Sequence, residues 1–347
     1  MKPPTVKPTA RERDSILTRT PHGDPPSISR TRSGRALATL VMAMALLART
    51  AGAAEAQSHD DRPRLDADAV SSGGEASKQT GSANLSDRGA GLVTSRFGTY
   101  VLDGEWLLEP SFEYSRNKDR EYDPASFGFP TTTETFEGRY EEGKARLFSA
   151  YGLSDRVAIE FEAQAIRASL EKEDGDLSGM PETTDESGLG EVRSRLDWRW
   201  CAERGHRPEL FSYGEVVFPH DKGKPLTGTS DWVFNAGLGA IHGFSWGTMT
   251  FRVGLEYDTS SESAVDFHEY ALEYLKRFSP AVTLYAGYVV FEGDEANLVT
   301  ELQWSPEPRV VVKMTSQLGV VSSVLSTSTS STDWSLGAGV LFRFPEQ

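Results

Sequence analysis

The sequence predicts an all-β protein, an antiparallel transmembrane β-barrel of about twelve strands that forms a single domain after a signal peptide. Three observations predict it: a secretion signal, alternation of polar and apolar residues from Tyr100 onward, and connections that alternate between short and long. The 347 residues are 25% charged and 38% hydrophobic, with a mean hydropathy of -0.43. A helical membrane protein needs runs of about 20 apolar residues, whereas a barrel exposes only alternate residues to lipid.

The secretion signal lies near the N-terminus. Three arginines precede an apolar run at residues 36–48, and small residues follow it. A basic segment, a short apolar segment and an A-x-A-like site make up a secretory signal peptide, with cleavage after Ala53 or Ala56. We therefore assign residues 1–56 to an N-terminal extension and a signal peptide that is removed after passage through the inner membrane. The sequence leaves open whether the true start codon is Met1 or lies further along.

The next segment, residues 57–98, is rich in Ser, Gly, Asp and Ala and almost lacks aromatic residues. Such a composition buries too little apolar surface to fold alone, which predicts a flexible periplasmic lead-in. A plug or a partner-binding tail is an alternative without a positive signal. Residues 99–347 are assigned to the barrel.

Alternation is clearest in residues 157–165, 189–200, 248–257 and 333–344, each of which separates apolar from polar side chains by position. A period of two is the mark of a strand with two different faces, and about ten residues suffice for a tilted strand to cross a bilayer. The predicted strands centre on Phe112, Phe148, Phe161, Leu196, Glu215, Leu238, Val253, Leu272, Ala286, Glu301, Met314 and Ala338.

The connections support the same fold. Those at 153–156 and 279–280 are tight, whereas those at 117–135, 171–187 and 320–332 are long. Short periplasmic turns and longer outer loops are typical of outer-membrane barrels, and an even strand number leaves both ends in the periplasm. A soluble β-sandwich has no reason to alternate in this way.

The apolar face carries aromatic residues near the strand ends, as in the girdles that border a bilayer. These interface aromatics are Trp106, Tyr151, Trp200, Trp246, Tyr257, Trp304, Trp334 and Phe344.

The opposite face carries charges of both signs and is predicted to line the lumen. One interpretation is structural, with ion pairs across strands that fill the bore; the other is a polar pathway whose charges select a solute. The candidates are Glu109, Glu113, Glu160, Glu162, Arg193, Arg195, Asp197, Arg199, Glu215, Arg252, Glu256, Glu269, Glu273 and Lys313.

Several function classes find little support. The net charge of -15 disfavours nucleic-acid binding, and the single cysteine excludes an intrachain disulfide. No histidine has a partner histidine two or four residues on, so no metal site or other cofactor is predicted. A membrane-embedded lipid hydrolase would need a Ser two residues from His242 or His268, and the residues there do not fit. The chain is therefore not expected to be an enzyme.

Residues 94–115, TSRFGTYVLDGEWLLEPSFEYS, carry a resemblance. This first-strand region resembles predicted outer-membrane barrels labelled as transporters or as proteins of the phenol-degradation (MetA-pathway) type, and the similarity extends to Phe344. The resemblance implies export or uptake of small, often apolar molecules, and it carries over no site residue. One departure is the end of the chain, where Pro-Glu-Gln follows Phe344, because barrels of this type often finish on an aromatic residue.

The leading functional prediction is a passive outer-membrane channel or transporter for a small molecule, apolar or aromatic by the resemblance. The alternatives are a closed structural or interaction barrel with an ion-paired lumen and, with less support, an outer-membrane lipid hydrolase. The predicted partners are outer-membrane lipids and lipopolysaccharide, the barrel-assembly machinery and the solute.

Overall fold

The computed structural model describes residues 87–129, 136–221, 223–259, 265–291, 296–320 and 333–345. The predicted signal peptide and most of the lead-in lie outside this range. Twelve antiparallel strands form a closed barrel in which each strand pairs with its sequence neighbours and the last strand pairs with the first. The predicted fold class is confirmed. No helix among the described residues is long and apolar enough to cross a membrane.

The barrel follows a small two-stranded sheet, β1 (Leu92–Val93) and β2 (Tyr100–Val101). The barrel strands are β3 (Trp106–Tyr122), β4 (Phe136–Gly152), β5 (Val157–Glu171), β6 (Thr183–Cys201), β7 (Glu209–Phe218), β8 (Val233–Phe244), β9 (Gly247–Asp258), β10 (Asp266–Ser279), β11 (Val282–Phe291), β12 (Ala296–Glu307), β13 (Val310–Val320) and β14 (Trp334–Phe344). A 3₁₀ turn, Pro124–Phe127, follows β3.

All twelve predicted strand centres fall inside barrel strands, but two predicted connections were too long. Strand β3 continues to Tyr122 and β6 begins at Thr183, so parts of the predicted first and third connections are strand. Most of the extra residues are polar, but their backbones still pair with the neighbouring strand, as Thr183 does with Glu171. Backbone pairing therefore extends these strands beyond the segment whose side chains alternate clearly.

The two ends of the barrel differ. Phe344 pairs with Trp106, so the barrel begins and finishes at one end, which we call the terminal end. Four of the five connections at this end have two to four residues, as between Phe244 and Gly247, whereas the connection 202–208 has seven. Every connection of eleven or more residues lies at the opposite, far end, in agreement with the predicted alternation.

An apolar belt covers the outer surface. Side chains such as Phe161, Leu238 and Leu272 point outward and remain exposed, whereas their strand neighbours point inward. A soluble protein does not expose so large a continuous apolar surface, and lipid chains cover such a belt in a membrane barrel. The predicted interface aromatics lie on this outer face near strand ends: Trp106, Tyr151, Trp200, Trp246, Trp304 and Phe344 at the terminal end, and Tyr257 and Trp334 at the far end.

The belt predicts a strong penalty for a charge at mid-strand. Leu238, near the middle of β8, is 48% exposed and faces outward. We expect Leu238→Arg to lower the free energy of unfolding by about 2–4 kcal/mol in lipid vesicles, because the guanidinium would be placed in the hydrocarbon layer. Denaturant titration checks this, with Leu238→Ala as the control for lost apolar contact. Equal stability of the two variants would contradict a lipid-facing position.

The interior is filled at the terminal end by residues 87–101, which we call the lumen hairpin. Its apolar side chains join two core clusters with inward-facing wall residues. One contains Val93 and Tyr100 with Phe211, and the other contains Leu92 and Val101 with residues of β3 to β5, β13 and β14. The end of the predicted flexible lead-in, residues 87–98, is therefore folded inside the barrel. The earlier part of the lead-in lies outside the described residues.

The candidate functional site is the barrel lumen

The tip of the lumen hairpin contacts the barrel wall on several sides. The backbone N–H and hydroxyl of Ser95 donate to the Glu160 carboxylate, and Arg96 lies 3.1 Å from Glu109. Phe97 stacks on Tyr285 at 5.1 Å between ring centroids. Because these partners belong to β3, β5 and β11, the tip crosses the bore rather than following one wall.

Further bonds reach the tip of the hairpin at Gly98 and Thr99. The Gln303 side chain donates to the Gly98 carbonyl, and Lys313 donates to the Thr99 hydroxyl. Gly98 has a φ of +59°, a conformation that favours glycine. A Cβ at that position would also lie 2.8 Å from the Gln303 side-chain nitrogen. Glycine therefore suits both the turn and the close approach to the wall.

The base of the hairpin is held by buried ion pairs at the terminal end. Arg88 lies 2.9 Å from Glu209 and 3.5 Å from Glu203, and Arg199 lies 3.1 Å from the same Glu209 carboxylate. Arg199 also donates to the carbonyls of Ala90 and Gly91. Two guanidinium groups thus fasten the hairpin to the wall between β6 and β7.

A cavity of about 540 Å³ lies between the hairpin tip and the far end, and we call it the vestibule. Ser95, Arg96 and Phe97 contribute to its lining, and the rest comes mainly from barrel strands. The vestibule falls within the usual size range of small-molecule sites. The lumen therefore has two parts, a filled terminal half and a hollow far half.

One side of the vestibule, formed by β4 to β7, carries a network of paired charges. Arg193 lies 3.1 Å from Glu162, 3.5 Å from Glu191 and 3.8 Å from Glu215. Arg146 lies 3.1 Å from the same Glu162 carboxylate. Neighbouring strands bring these groups together, because each charge faces the lumen at alternate positions. The network offers neither sign of charge in clear excess.

Arg195 occupies a special place in this network. Its guanidinium lies over the Tyr213 ring, 3.7 Å from the centroid, and its Nε donates to Asp197 at 2.9 Å. The side chain is only 4% exposed, and its Nη2 has no hydrogen-bond partner within the described part of the chain. This nitrogen is enclosed by the protein, so Arg195 is held in place by its stacking on Tyr213 and its bond to Asp197.

The other side, formed by β13, β14 and β3, combines the charged residues Glu109, Glu113 and Lys313 with neutral polar side chains. Ser111, Ser115, Gln317 and Ser335 line the cavity there. Among the described residues, none of these four side chains has a hydrogen-bond partner. They remain able to bond water or a solute.

The predicted lumen residues share the inward face but divide into two groups. Glu109, Glu113, Arg193, Arg195, Glu215, Arg252, Glu269 and Lys313 line the vestibule. The others face inward without lining it, and all but Glu256 are buried: Glu160, Glu162, Asp197, Arg199, Glu256 and Glu273. Selection of a solute by these charges remains a prediction.

Sequence reasoning missed two parts of the site. Glu142, Lys144 and Arg146 line the vestibule, and their alternate spacing with Phe148 in β4 could have identified them. The lumen hairpin had no such signal, since its two strands are only two residues long. Its anchors become visible only when distant strands close around it.

The described residues give little support to metal or hydrolase chemistry. Within the ranges that the structure describes, no group of three or more His, Cys, Asp or Glu residues is placed to hold a metal ion. The His242 Nδ1 lies 3.3 Å from Glu203 Oε1, at the terminal end. The side chain of His268 lies outside the described part of the chain, so the expectation that it has no hydrolase role stays a prediction.

Comparison with known proteins adds structural neighbours alone. No protein-family model matches the chain, and no curated protein matches it. An outer membrane channel from Pseudomonas putida F1 aligns at 14% identity and a TM-score of 0.48, covering 70% of this chain and 96% of that one. Outer membrane phospholipase A from Escherichia coli aligns at 9% identity and a TM-score of 0.39, covering 75% of this chain and 97% of that one. The toluene transporter TodX of Pseudomonas putida aligns at 9% identity and a TM-score of 0.32, covering 69% of this chain and 88% of that one.

Proposed function

We propose that the protein is an outer-membrane channel that lets a small solute pass passively. In this proposal the terminal end faces the periplasm and the far end faces outward, as the short turns and long connections indicate. The observation that carries the proposal is the vestibule, a polar cavity of about 540 Å³ inside a closed barrel with an apolar belt. A barrel with a purely structural role has no need of such a space.

The lumen hairpin would act as the gate of this channel. It fills the terminal half of the bore and forms the base of the vestibule, so a solute that enters from the far end meets Ser95, Arg96 and Phe97. Passage then requires movement of the tip, while the Arg88 and Arg199 ion pairs can keep the base in place.

Thiol modification tests whether ions cross the vestibule. Thr315 on β13 lines the cavity, whereas the next residue, Ser316, lies on the outer face. In a Cys201→Ser background, we expect a charged methanethiosulfonate reagent to reduce the single-channel conductance of Thr315→Cys at least twofold. The same reagent should leave Ser316→Cys unchanged, because its thiol points into lipid.

The outcomes separate the candidate functions. A membrane-inserted barrel without conductance steps would refute the channel. Steps that are insensitive to the reagent in the Thr315→Cys variant would place the ion path elsewhere. The competing function is a closed structural barrel, which the ion pairs of Arg193 and the filled terminal half favour. It predicts a silent protein in both variants.

A further inference from the structure

The vestibule offers little apolar surface to a solute. Phe112 and Ala338 belong to strands whose side chains at these positions point outward. The remaining apolar side chains are Phe97, which is stacked on Tyr285, and Tyr140 and Leu226 toward the far end. An apolar molecule would therefore leave water without gaining a matching apolar contact.

Within the described chain, the charged residues of the vestibule are ion-paired except for Arg120, which stacks on the Tyr140 ring. Arg193 has three carboxylates within 3.8 Å, and Arg252 lies 3.7 Å from Glu269 and also contacts Glu273. A charged solute would have to compete with these buried partners and leave one of them unpaired. Binding of an ion is therefore disfavoured on this side.

The groups that remain available on the side formed by β3, β13 and β14 are neutral. Ser111, Ser115, Gln317 and Ser335 have no partner in the described chain, and they face the cavity from β3, β13 and β14. Hydroxyl and amide groups both donate and accept, so together they complement a solute whose own groups do both.

We infer that the vestibule binds a small neutral polyhydroxylated solute of about the size of one sugar ring. This inference rests on the proposed channel and names its solute class. The serine and glutamine side chains exchange hydrogen bonds with the solute hydroxyls. Gly337 and Gly339 on β14 line the same wall.

Saturation-transfer NMR on the refolded protein tests the inference, with myo-inositol as the probe and phenol as the apolar comparison. We expect transfer to inositol at millimolar concentration and weaker transfer to phenol. Ser111→Ala combined with Ser335→Ala should weaken inositol binding on the order of tenfold, because two hydrogen bonds are lost. If the double variant folds poorly, Gln317→Leu on the neighbouring strand takes its place, and it should also weaken inositol binding.

Ser316→Ala is the matched control, since this residue lies on the outer face of β13 and should bind inositol like the unchanged protein. Absence of transfer to inositol, or transfer that the serine variants do not reduce, would overturn the inference. So would stronger transfer to phenol, which is the result that the family resemblance implies. Conductance is recorded on the same samples. A silent barrel that binds inositol refutes only the channel, whereas a conducting barrel that does not bind it refutes only the solute class.

Discussion

A disulfide between positions 98 and 285 is expected to abolish conductance. A Cβ built on Gly98 lies 3.5 Å from the Cβ of Tyr285, within the separation of about 3.5–4.5 Å that a disulfide spans. The variant is Gly98→Cys with Tyr285→Cys, in a Cys201→Ser background. The bond would fasten the hairpin tip to β11 and hold the base of the vestibule closed. If passage requires the tip to move, the oxidised barrel should show no steps.

The reduced form of the same protein is the control. It carries the same truncated side chain at 285 and the same strained residue at 98, and differs only in the cross-link. We expect a reducing agent to restore conductance in single-channel recordings. Equal conductance in the oxidised and reduced forms would show that solute and ions bypass the hairpin, and the gate would then have to be sought among the far-end connections.

The second large effect is expected at Lys313, because its replacement takes the ammonium group away from two buried carboxylates. Its ammonium lies 2.9 Å from Glu109 and 3.5 Å from Glu301, and all three side chains are at most 2% exposed. The same ammonium donates to the Thr99 hydroxyl of the hairpin. We expect Lys313→Ala to lower the free energy of unfolding by about 3–5 kcal/mol, because breaking a buried pair from one side leaves uncompensated charge. Denaturant titration of the refolded barrel measures it.

Two variants separate charge from lost packing. Lys313→Met with Glu301→Gln removes both a cation and an anion, and it should recover part of the stability. Lys118→Ala is the surface control, since Lys118 is 65% exposed and 3.9 Å from Asp333, and its loss should cost about 0–1 kcal/mol. A Lys313→Ala variant as stable as Lys118→Ala would show that the carboxylates are solvated or protonated in the folded barrel.

Much of the barrel could be predicted from the sequence, because strand structure is local. Successive side chains of a strand point to opposite faces, so two faces in different surroundings give the sequence a period of two. In a membrane barrel the outer face is apolar and the inner face is polar, which makes this period easy to detect. In β6, for example, Trp198 and Trp200 point outward and alternate with Asp197 and Arg199, which point inward. The tight turns and long connections then fix which ends share a side. The extended ends of β3 and β6 were missed, because outside the belt both faces are polar and the period disappears.

The inward face of each charged residue also followed from its position along a strand. Its partner did not, because pairing depends on register between strands. Arg193 contacts Glu162 of β5 and Glu215 of β7 only because the barrel aligns those positions. Thr99 and Lys313 are 214 positions apart in the sequence, and only the closed barrel brings them into contact.

The sequence by itself determined the barrel, its strand number, its inner and outer faces and the ends that share a side. These are properties of repeated local patterns, which each strand carries independently of the others. The tertiary structure decided what fills the lumen. It placed residues 87–101, whose first part belongs to a segment predicted from composition to be flexible, against two apolar clusters and two buried ion-pair groups. A short segment without its own core folds only when a closed wall supplies partners on every side, and that condition is a property of the whole barrel.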